Sequence, residues 1–454
     1  MARALTLAAA ALLLAGCFHA RSYSSDRTVA TWRAMQAPKP GSSAQATAKP
    51  GEPAQPTDAL TAEQTYALAL ASSPDVAVLE ARAEVAAAEV GSAKQLDNPQ
   101  LRMTNFNMED ALAGTPGMNI GLRVPIPRPG TIRAKVQGAQ RSADAQASWT
   151  EDAKRQLRAR IYKLFARMAT LTAELEQVER ATQLRASRRD AVGARVQQSV
   201  STRLDAALAE VAHAETRDES SRIRNDLAAL QTELEQIAGA GQPLRFQIDP
   251  SELQLRDREL DLEALTEQAM AARPELRAAQ NNIGRAEADV YLAKSKAWPW
   301  FDWAQIQYRA GPGATAASFG FGVALTLPVF SWNRGEIKAK RAVLRQRELE
   351  ERAKIAAVAR EVGAALARVE QTAQRIRELE QGLLPQLDAA AREADAALAA
   401  GSLDIVAANE IAVRVVSARR LHTAALLAHR EALIDLEAAV GGPLPGDRRP
   451  PANN

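Results

Sequence analysis

The sequence contains few aromatic residues, one cysteine and four histidines. Phe, Trp and Tyr make up only 4% of its 454 residues, while alanine dominates long stretches, which favours long, closely packed helices over a thick globular core. Cys17 is the single cysteine, so a disulfide within the chain and a thiolate metal site are excluded. His422 and His429 lie on one predicted helix, about 10 Å apart along its axis, too far to share a metal ion. We therefore expect no metal site and ordinary packed or solvated histidines.

The chain also lacks a block of charge of one sign and the motifs of common enzymes. Its 57 Lys and Arg and its 54 Asp and Glu are interspersed, with a net charge of +3. This pattern is typical of solvated helix faces and not of nucleic-acid binding. The sequence has no Gly-rich phosphate loop, no His-Glu-x-x-His pair and no nucleophile elbow. It therefore predicts a protein that is not an enzyme, holds no cofactor and binds no nucleic acid.

The N-terminal segment "MARALTLAAAALLLAGC" predicts export from the cytoplasm. Its apolar run from Leu5 to Ala15 is too short for a membrane span and is typical of a secretory signal. The ending Leu-Ala-Gly-Cys resembles the bacterial lipobox, so Cys17 is the predicted lipidation site and residues 1–17 are the signal peptide. The alternative is a signal peptide with an incidental cysteine. Phe18 replaces the aspartate that often marks inner-membrane retention, which favours outer-membrane sorting.

The rest of the chain contains two copies of one unit. The helices "SPDVAVLEARAEVAAAEVGSAKQLDNP" and "RPELRAAQNNIGRAEADVYLAKSKAWP" match at a constant offset. The matching positions are Pro74, Lys94 and Pro99 in the first and Pro274, Lys294 and Pro299 in the second. Each helix precedes two strand candidates, a long helix and a return helix that closes on Leu-Glu-x-x-x-Gly. The predicted segments are a Pro- and Ala-rich tether at 18–58, a first repeat at 59–240, a connector at 241–258, a second repeat at 259–442 and a tail at 443–454.

The long helices show alternating three- and four-residue spacing of apolar positions, which is the coiled-coil repeat. The predicted seams are Leu157, Ile161, Leu164, Met168, Leu171, Leu175 and Val178, and Ile355, Val358, Val362, Leu366, Val369, Ala373 and Ile376. Between about Ile132 and Val192 there is no proline, which predicts a single helix of roughly 90 Å. A helix of this length exceeds what a globular core needs, and it predicts a protein whose helices span a gap.

Four strand candidates of about ten residues have the length of a tilted membrane strand. They form predicted hairpins within residues 100–127 and 300–328, at Gln100–Asn107, Gly117–Pro127, Trp300–Arg309 and Ser318–Pro328. The last candidate alternates apolar with small residues. Its predicted lipid-facing row is Phe319, Phe321, Val323, Leu325 and Leu327. The tryptophans expected in an interfacial girdle at the ends of the second pair are Trp298, Trp300, Trp303 and Trp332.

Four strands cannot close a barrel, and open sheet edges are not tolerated in lipid. If these strands cross a membrane, several copies of the chain must share one barrel. The predicted fold class is therefore mainly α with an oligomeric membrane β-barrel. The alternative is a pair of soluble hairpins with packed aromatic residues.

Two stretches carry a family resemblance, "LTLPVFSWNRGEIKAKRA" at a strand-to-helix turn and "RVQQSVSTRLDAALAEV" at a helical-hairpin tip. The region from about Leu60 to Gly442 resembles the outer-membrane efflux protein (TolC-like) family, and the lipobox resembles its lipoprotein members. The compact turn "PIPRPGTIRAKV" is similar to the heavy-metal branch. The resemblance implies a homotrimer with a twelve-stranded barrel in the outer membrane of a Gram-negative bacterium. It also implies a helical tunnel through the periplasm, and as partners a periplasmic adaptor and an inner-membrane pump.

The resemblance also implies that the hairpin tips form a periplasmic gate and contact the adaptor. The residues concerned are Arg195, Ser199, Ser201, Arg203, Leu204, Asp205, Gly401, Leu403 and Asp404. Ser199 stands where the family usually has glycine, and the second tip, "AAGSLDIVAANE", is shorter than usual. An alternative role is helix capping, with Ser201 or Thr202 as N-cap and Asp205 binding free amides.

The function expected on this basis is that of a passive exit duct of a tripartite exporter. Metal ions, drugs and lipophilic toxins all remain candidate cargo. The alternative from another class is a non-transporting periplasmic coiled-coil lipoprotein, a scaffold tethered by Cys17. Conductance in a planar bilayer separates the two, because a scaffold would give none.

Overall fold

The computed structural model describes residues 59–104, 118–198, 202–239, 241, 243–249, 253–255, 259–310, 318–399 and 405–445. The predicted lipidation site and five predicted tip residues lie outside the described residues: Cys17, Ser199, Ser201, Gly401, Leu403 and Asp404. The chain divides into two units. One comprises Met1–Ala59 and Ala240–Arg245, of which only a few residues are described. The other comprises Leu60–Gly239 and Phe246–Asn454 and contains the described helices and strands.

Within the described residues, one order of elements occurs twice: two helices, two strands, a long helix and a return helix. The helices are α1 Ala62–Ser72, α2 Pro74–Ala93, α3 Thr131–Gln197, α4 Arg203–Ala238, α5 Leu262–Ala272, α6 Pro274–Ser295, α7 Arg334–Glu378, α8 Leu384–Ala399 and α9 Ile405–Val440. The strands are β1 Gln100–Thr104, β2 Met118–Pro125, β3 Trp300–Ala310 and β4 Ser318–Thr326. The predicted tandem repeat is confirmed.

The ends of the helices explain the sequence landmarks that repeat. Pro74 and Pro274 occupy the first position of α2 and α6, where a missing N–H costs nothing. The return helices α4 and α9 are followed by Gly239 and Gly441, with φ of 66° and 83°. In this left-handed conformation glycine avoids the clash of a side chain. A Cβ on Gly239 would also lie 2.5 Å from the carbonyl oxygen of Ser72, so no other residue fits there.

The long helix of the first repeat is continuous, whereas that of the second repeat is interrupted. Helix α3 has 67 residues, which corresponds to about 100 Å. Between α7 and α8 the residues Leu379–Leu383 form a π-helical turn. Pro385 follows this turn; it cannot donate a backbone hydrogen bond, and its ring crowds the carbonyl one turn earlier. A local π turn relieves that crowding, and the apolar periodicity of the sequence did not predict it.

Two apolar clusters hold the helices together. One joins α1, α3, α4 and α9, and the other joins α5, α6, α7 and α9. The seam residues buried in the described structure are Ile161, Leu164, Met168, Val178, Val358, Val362, Leu366, Val369, Ala373 and Ile376. The assignment of Ile355 to the seam was wrong, since it is 40% exposed. At that level α7 contacts α6 through an ion pair between Lys354 and Glu275 at 3.3 Å, so the apolar seam begins one turn later.

The two histidines of α9 have different surroundings. His429 is 2% exposed, and its Nδ1 lies 3.0 Å from the hydroxyl of Thr372 on α7. His422 contacts Glu380 of the π turn at 2.8 Å. Among the described residues no group of three or more His, Cys, Asp or Glu side chains is arranged to hold a metal ion.

An amphipathic sheet and a helical tip

The four strands form one antiparallel sheet in the order β1-β2-β3-β4. The outer pairings are the two predicted hairpins, while β2 also pairs with β3, from Met118↔Ala310 to Pro125↔Trp303. This central pairing joins the two repeats. Strands β2 and β4 end at Pro125 and Thr326, two residues before the predicted bounds.

One face of the sheet is apolar and exposed. On β4 the predicted row of Phe319, Phe321, Val323 and Leu325 lies on it, with Phe321 83% exposed; Leu327 is exposed just beyond the strand. Cross-strand pairing extends this row to Ala304, Ile306 and Tyr308 of β3, to Ile120, Leu122 and Val124 of β2, and to Leu101 and Met103 of β1. We call this set the apolar face. A contiguous patch of this extent needs lipid or another protein surface to cover it.

The opposite face, which we call the polar face, combines long polar side chains with glycines. Gln305 and Gln307 of β3 lie across Gly121 and Gly320 on the neighbouring strands. A Cβ on Gly121 would come 2.7 Å from Gln305 Nε2, and one on Gly320 would come 3.0 Å from Gln307 Nε2. The two amides also contact each other, because Gln305 Nε2 donates to Gln307 Oε1 at 3.2 Å. Glycine is therefore required where the glutamines lie flat on the sheet.

Among the described strands, β1 and β4 pair on one side only. Their outer edges are rows of backbone donors and acceptors without a partner strand. An edge of this kind is tolerated in water but not in the hydrocarbon of a bilayer, where every backbone group needs a partner. If the apolar face contacts lipid, other strands must pair with both edges.

The tryptophans at the base of the sheet do not all behave as predicted. Trp298 and Trp332 are 71% and 53% exposed, and Phe330 beside them is fully exposed, as an interfacial belt requires. Trp300 is instead anchored, because its Nε1 donates to the carbonyl of Ile126 at 2.9 Å. Trp303 was wrongly assigned to the belt. A bulge between Phe301 and Trp303 reverses the parity of β3, so Trp303 pairs with Ala324 and lies on the polar face.

The strand-to-helix turn after β4 is fixed by polar contacts. Asn333 precedes α7 with a φ of 53°, a conformation that asparagine tolerates better than most residues. Its Nδ2 donates to the carbonyl of Ala293 and to Glu336, both at 2.8 Å. Lys296 donates to the same carboxylate at 2.9 Å, and together with Asn333 it holds the pKa of Glu336 below its usual range. The turn therefore sets a defined direction for α7 relative to β4.

At the tip of the first helical hairpin the structure shows a capping box. Thr202 is the N-cap of α4: the Asp205 amide donates to its Oγ1 at 3.2 Å, and its own amide donates to the Asp205 carboxylate at 2.9 Å. The bonds from Thr202 lower the pKa of Asp205. The capping role is thus confirmed, with Thr202 and not Ser201 as the cap. Arg195, Arg203 and Leu204 are exposed, while the second tip lies outside the described residues.

None of the helices that the structure describes combines the length and the apolar character needed to traverse a bilayer.

The sequence model of the outer membrane efflux protein family matches residues 65–240 and 265–442. No curated protein matches the chain. Solved structures share the fold: CusC, described in connection with transmembrane channel formation, is 17% identical with a TM-score of 0.71, covering 84% of this chain and 92% of its own. VceC from Vibrio cholerae is 19% identical with a TM-score of 0.66, covering 84% and 96%. The open state of MtrE from Neisseria gonorrhoeae is 17% identical with a TM-score of 0.69, covering 84% and 89%.

Proposed function

The chain belongs to the outer membrane efflux protein family, and on this premise we propose that it is the exit channel of a tripartite efflux system. The observation that carries the proposal is the four-stranded sheet, with an exposed apolar face, a polar face and two unpaired edges. A sheet of this kind suits a barrel wall shared between copies. The lipid then covers the apolar face, and the polar face lines a water-filled lumen.

The strand count supports three copies as the assembly. Two copies of the four-stranded sheet would supply eight strands, and an eight-stranded barrel has an interior that side chains fill. Three copies supply twelve strands and leave a lumen. The homotrimer is also what the family resemblance implies. Each added copy pairs β1 of one chain with β4 of its neighbour, so no edge remains open in the lipid.

The helices support the remainder of the proposal. Helix α3, at about 100 Å, and the other long helices form a tunnel through the periplasm. An inner-membrane pump and a periplasmic adaptor supply energy and choose the cargo, which leaves this chain as a passive duct. Metal ions are one candidate cargo, beside drugs and lipophilic toxins.

The proposal is tested with the purified full chain in a planar bilayer. We expect stepwise channel conductance, and loss of export from cells in which the chain is deleted. A coiled-coil scaffold tethered in the periplasm would bind partners without conducting. Protein that inserts into the bilayer but gives no conductance with or without adaptor would support the scaffold and overturn the channel.

We also propose that Cys17 is lipidated and forms the mature N-terminus, on the basis of the lipobox ending. Cys17→Ser should abolish incorporation of labelled fatty acid. It should leave assembly largely intact, because the strands of each copy already anchor the protein in the membrane. Labelled palmitate retained by the serine variant would contradict the assignment.

A further proposal concerns the hairpin tips. We propose that the tips close the resting channel and contact the adaptor, with Arg195, Arg203 and Leu204 exposed at the first tip for this purpose. Contacts between copies at a gate must be weak enough to open, and exposed polar pairs meet that requirement. In addition to its proposed role at the gate, Asp205 has a structural role in the capping box of α4.

A further inference from the structure

The polar face of the sheet carries arginines without matching carboxylates. Arg102 of β1 and Arg123 of β2 lie on it. The one carboxylate in the described strands is Asp302, which sits in the bulge at the base of the sheet. It pairs there with Arg128 at 3.9 Å and accepts a hydrogen bond from Thr326. Its charge is therefore compensated locally, and the charge of the polar face is positive.

The two arginines of the first hairpin are close to each other. Arg102 pairs with Gly121, two residues before Arg123 in β2, so the two are diagonal neighbours on one face. Within the described part of the chain neither guanidinium forms a salt bridge. The glycine opposite Arg102, Gly121, lies under the side chain of Gln305. Two like charges this close repel each other, and they attract a mobile anion where one is available.

Arg123 is held in a fixed position. Its guanidinium carbon lies 3.8 Å from the centroid of the Trp303 ring, a cation–π contact across β2 and β3. The contact depends on the bulge that turns Trp303 to the polar face. A cation whose position is fixed in this way contributes to the potential of the lumen at a constant depth, unlike a long side chain that is free to move away.

We infer that Arg102 and Arg123 make the barrel section of the duct anion-selective. This inference rests on the proposed function, in which the polar face lines the lumen and each copy contributes the same pair. A ring of arginines lining a water-filled passage favours anions, because low-dielectric walls focus the field of the fixed charges. A free divalent cation meets an electrostatic barrier at this level. Anionic solutes are therefore favoured as cargo over free metal ions.

The test measures the reversal potential of the full-length channel in a neutral-lipid bilayer across a potassium chloride gradient. The wild-type channel should be anion-selective. Arg102→Gln with Arg123→Gln should bring the reversal potential towards zero, and Arg102→Glu with Arg123→Glu should move it to the cation side. The matched control is Arg222→Gln, which removes a charge that is 77% exposed on α4 and paired with Asp218. It should leave the reversal potential unchanged.

The outcomes separate the inference from the proposed function. A wild-type channel that conducts but prefers cations overturns the inference alone, and so does a glutamate variant with the wild-type reversal potential. If the glutamate variant does not assemble, two wild-type measurements still decide whether the channel is anion-selective. They are its reversal potential and the block of its current by the multivalent anion hexacyanoferrate. Absence of conductance in the wild type overturns the proposed function, and the inference with it.

Discussion

Val323→Arg is expected to prevent assembly of the channel. Val323 lies near the middle of β4 on the apolar face, is 64% exposed and pairs with Ala304. A charge on the lipid side of a barrel near the midplane costs about 2–4 kcal/mol, and an assembly of several copies incurs this cost once per copy. The heat-resistant oligomer should therefore disappear from gels.

The matched control for this change is Ala324→Arg. Ala324 is the next residue of β4 and lies on the polar face, opposite Trp303. An arginine there faces water in the proposed barrel, so the oligomer should persist while single-channel conductance falls. If the two variants assemble equally well, or fail equally, the assignment of the two faces is wrong.

The variants Val323→Arg and Ala324→Arg test the assignment of the two faces of β4, which the sequence alone predicted. Alternation along β4 identifies its apolar row because the side chains of a strand point to opposite faces in turn. The same alternation is weaker in β3, where the bulge at Phe301 and Trp303 changes the parity. The sequence therefore predicted Trp303 in the interfacial belt. The strand pairing of the structure places it on the polar face instead, with the guanidinium of Arg123 over its ring.

The join between the repeats could not be predicted from local patterns. Pairing of β2 with β3 depends on residues far apart in the chain, such as Leu122 and Ile306. A hairpin, in contrast, is specified by its own turn and alternation. The repeat itself could be predicted, because a proline at the first position of a helix and a glycine after the end of a helix recur at matching positions in the two halves.

The burial of the charged side chain of Arg273 could not be predicted from the sequence either. Arg273 has no apolar spacing that would indicate a core position, yet it is 2% exposed. It is paired with Glu275 at 2.9 Å and with Glu361 of α7 at 2.6 Å. The corresponding position of the first repeat is Ser73, so the repeats differ where the short helices meet. Such partners become visible only once α6 and α7 are packed together.

At the tip the sequence predicted the cap and the structure confirms it, which changes how a gate must be tested. Substituting Asp205 removes a charge and a capping acceptor together. Because the folded-state pKa of Asp205 is lowered, its contribution to the cap is complete above the ordinary pKa of about 3.9. It is lost only as the pH falls through the lower folded value. Experiments at neutral pH therefore keep the cap intact, and the gate should be tested with Arg203.

Arg203→Glu is expected to raise the resting conductance several-fold and to lower cross-linking to the adaptor. Arg203 is exposed beside the cap, so reversing its charge changes the polar contacts of the proposed gate while the capping box remains. The comparison variant is Thr202→Val, which keeps every charge but removes the capping hydroxyl, typically about 1 kcal/mol of helix stability. If the tip acts as a gate, Arg203→Glu leaks in single-channel recordings and Thr202→Val stays closed, while both keep the heat-resistant oligomer. If Thr202→Val leaks and Arg203→Glu does not, the tip serves only to begin α4, and closure must depend on other residues.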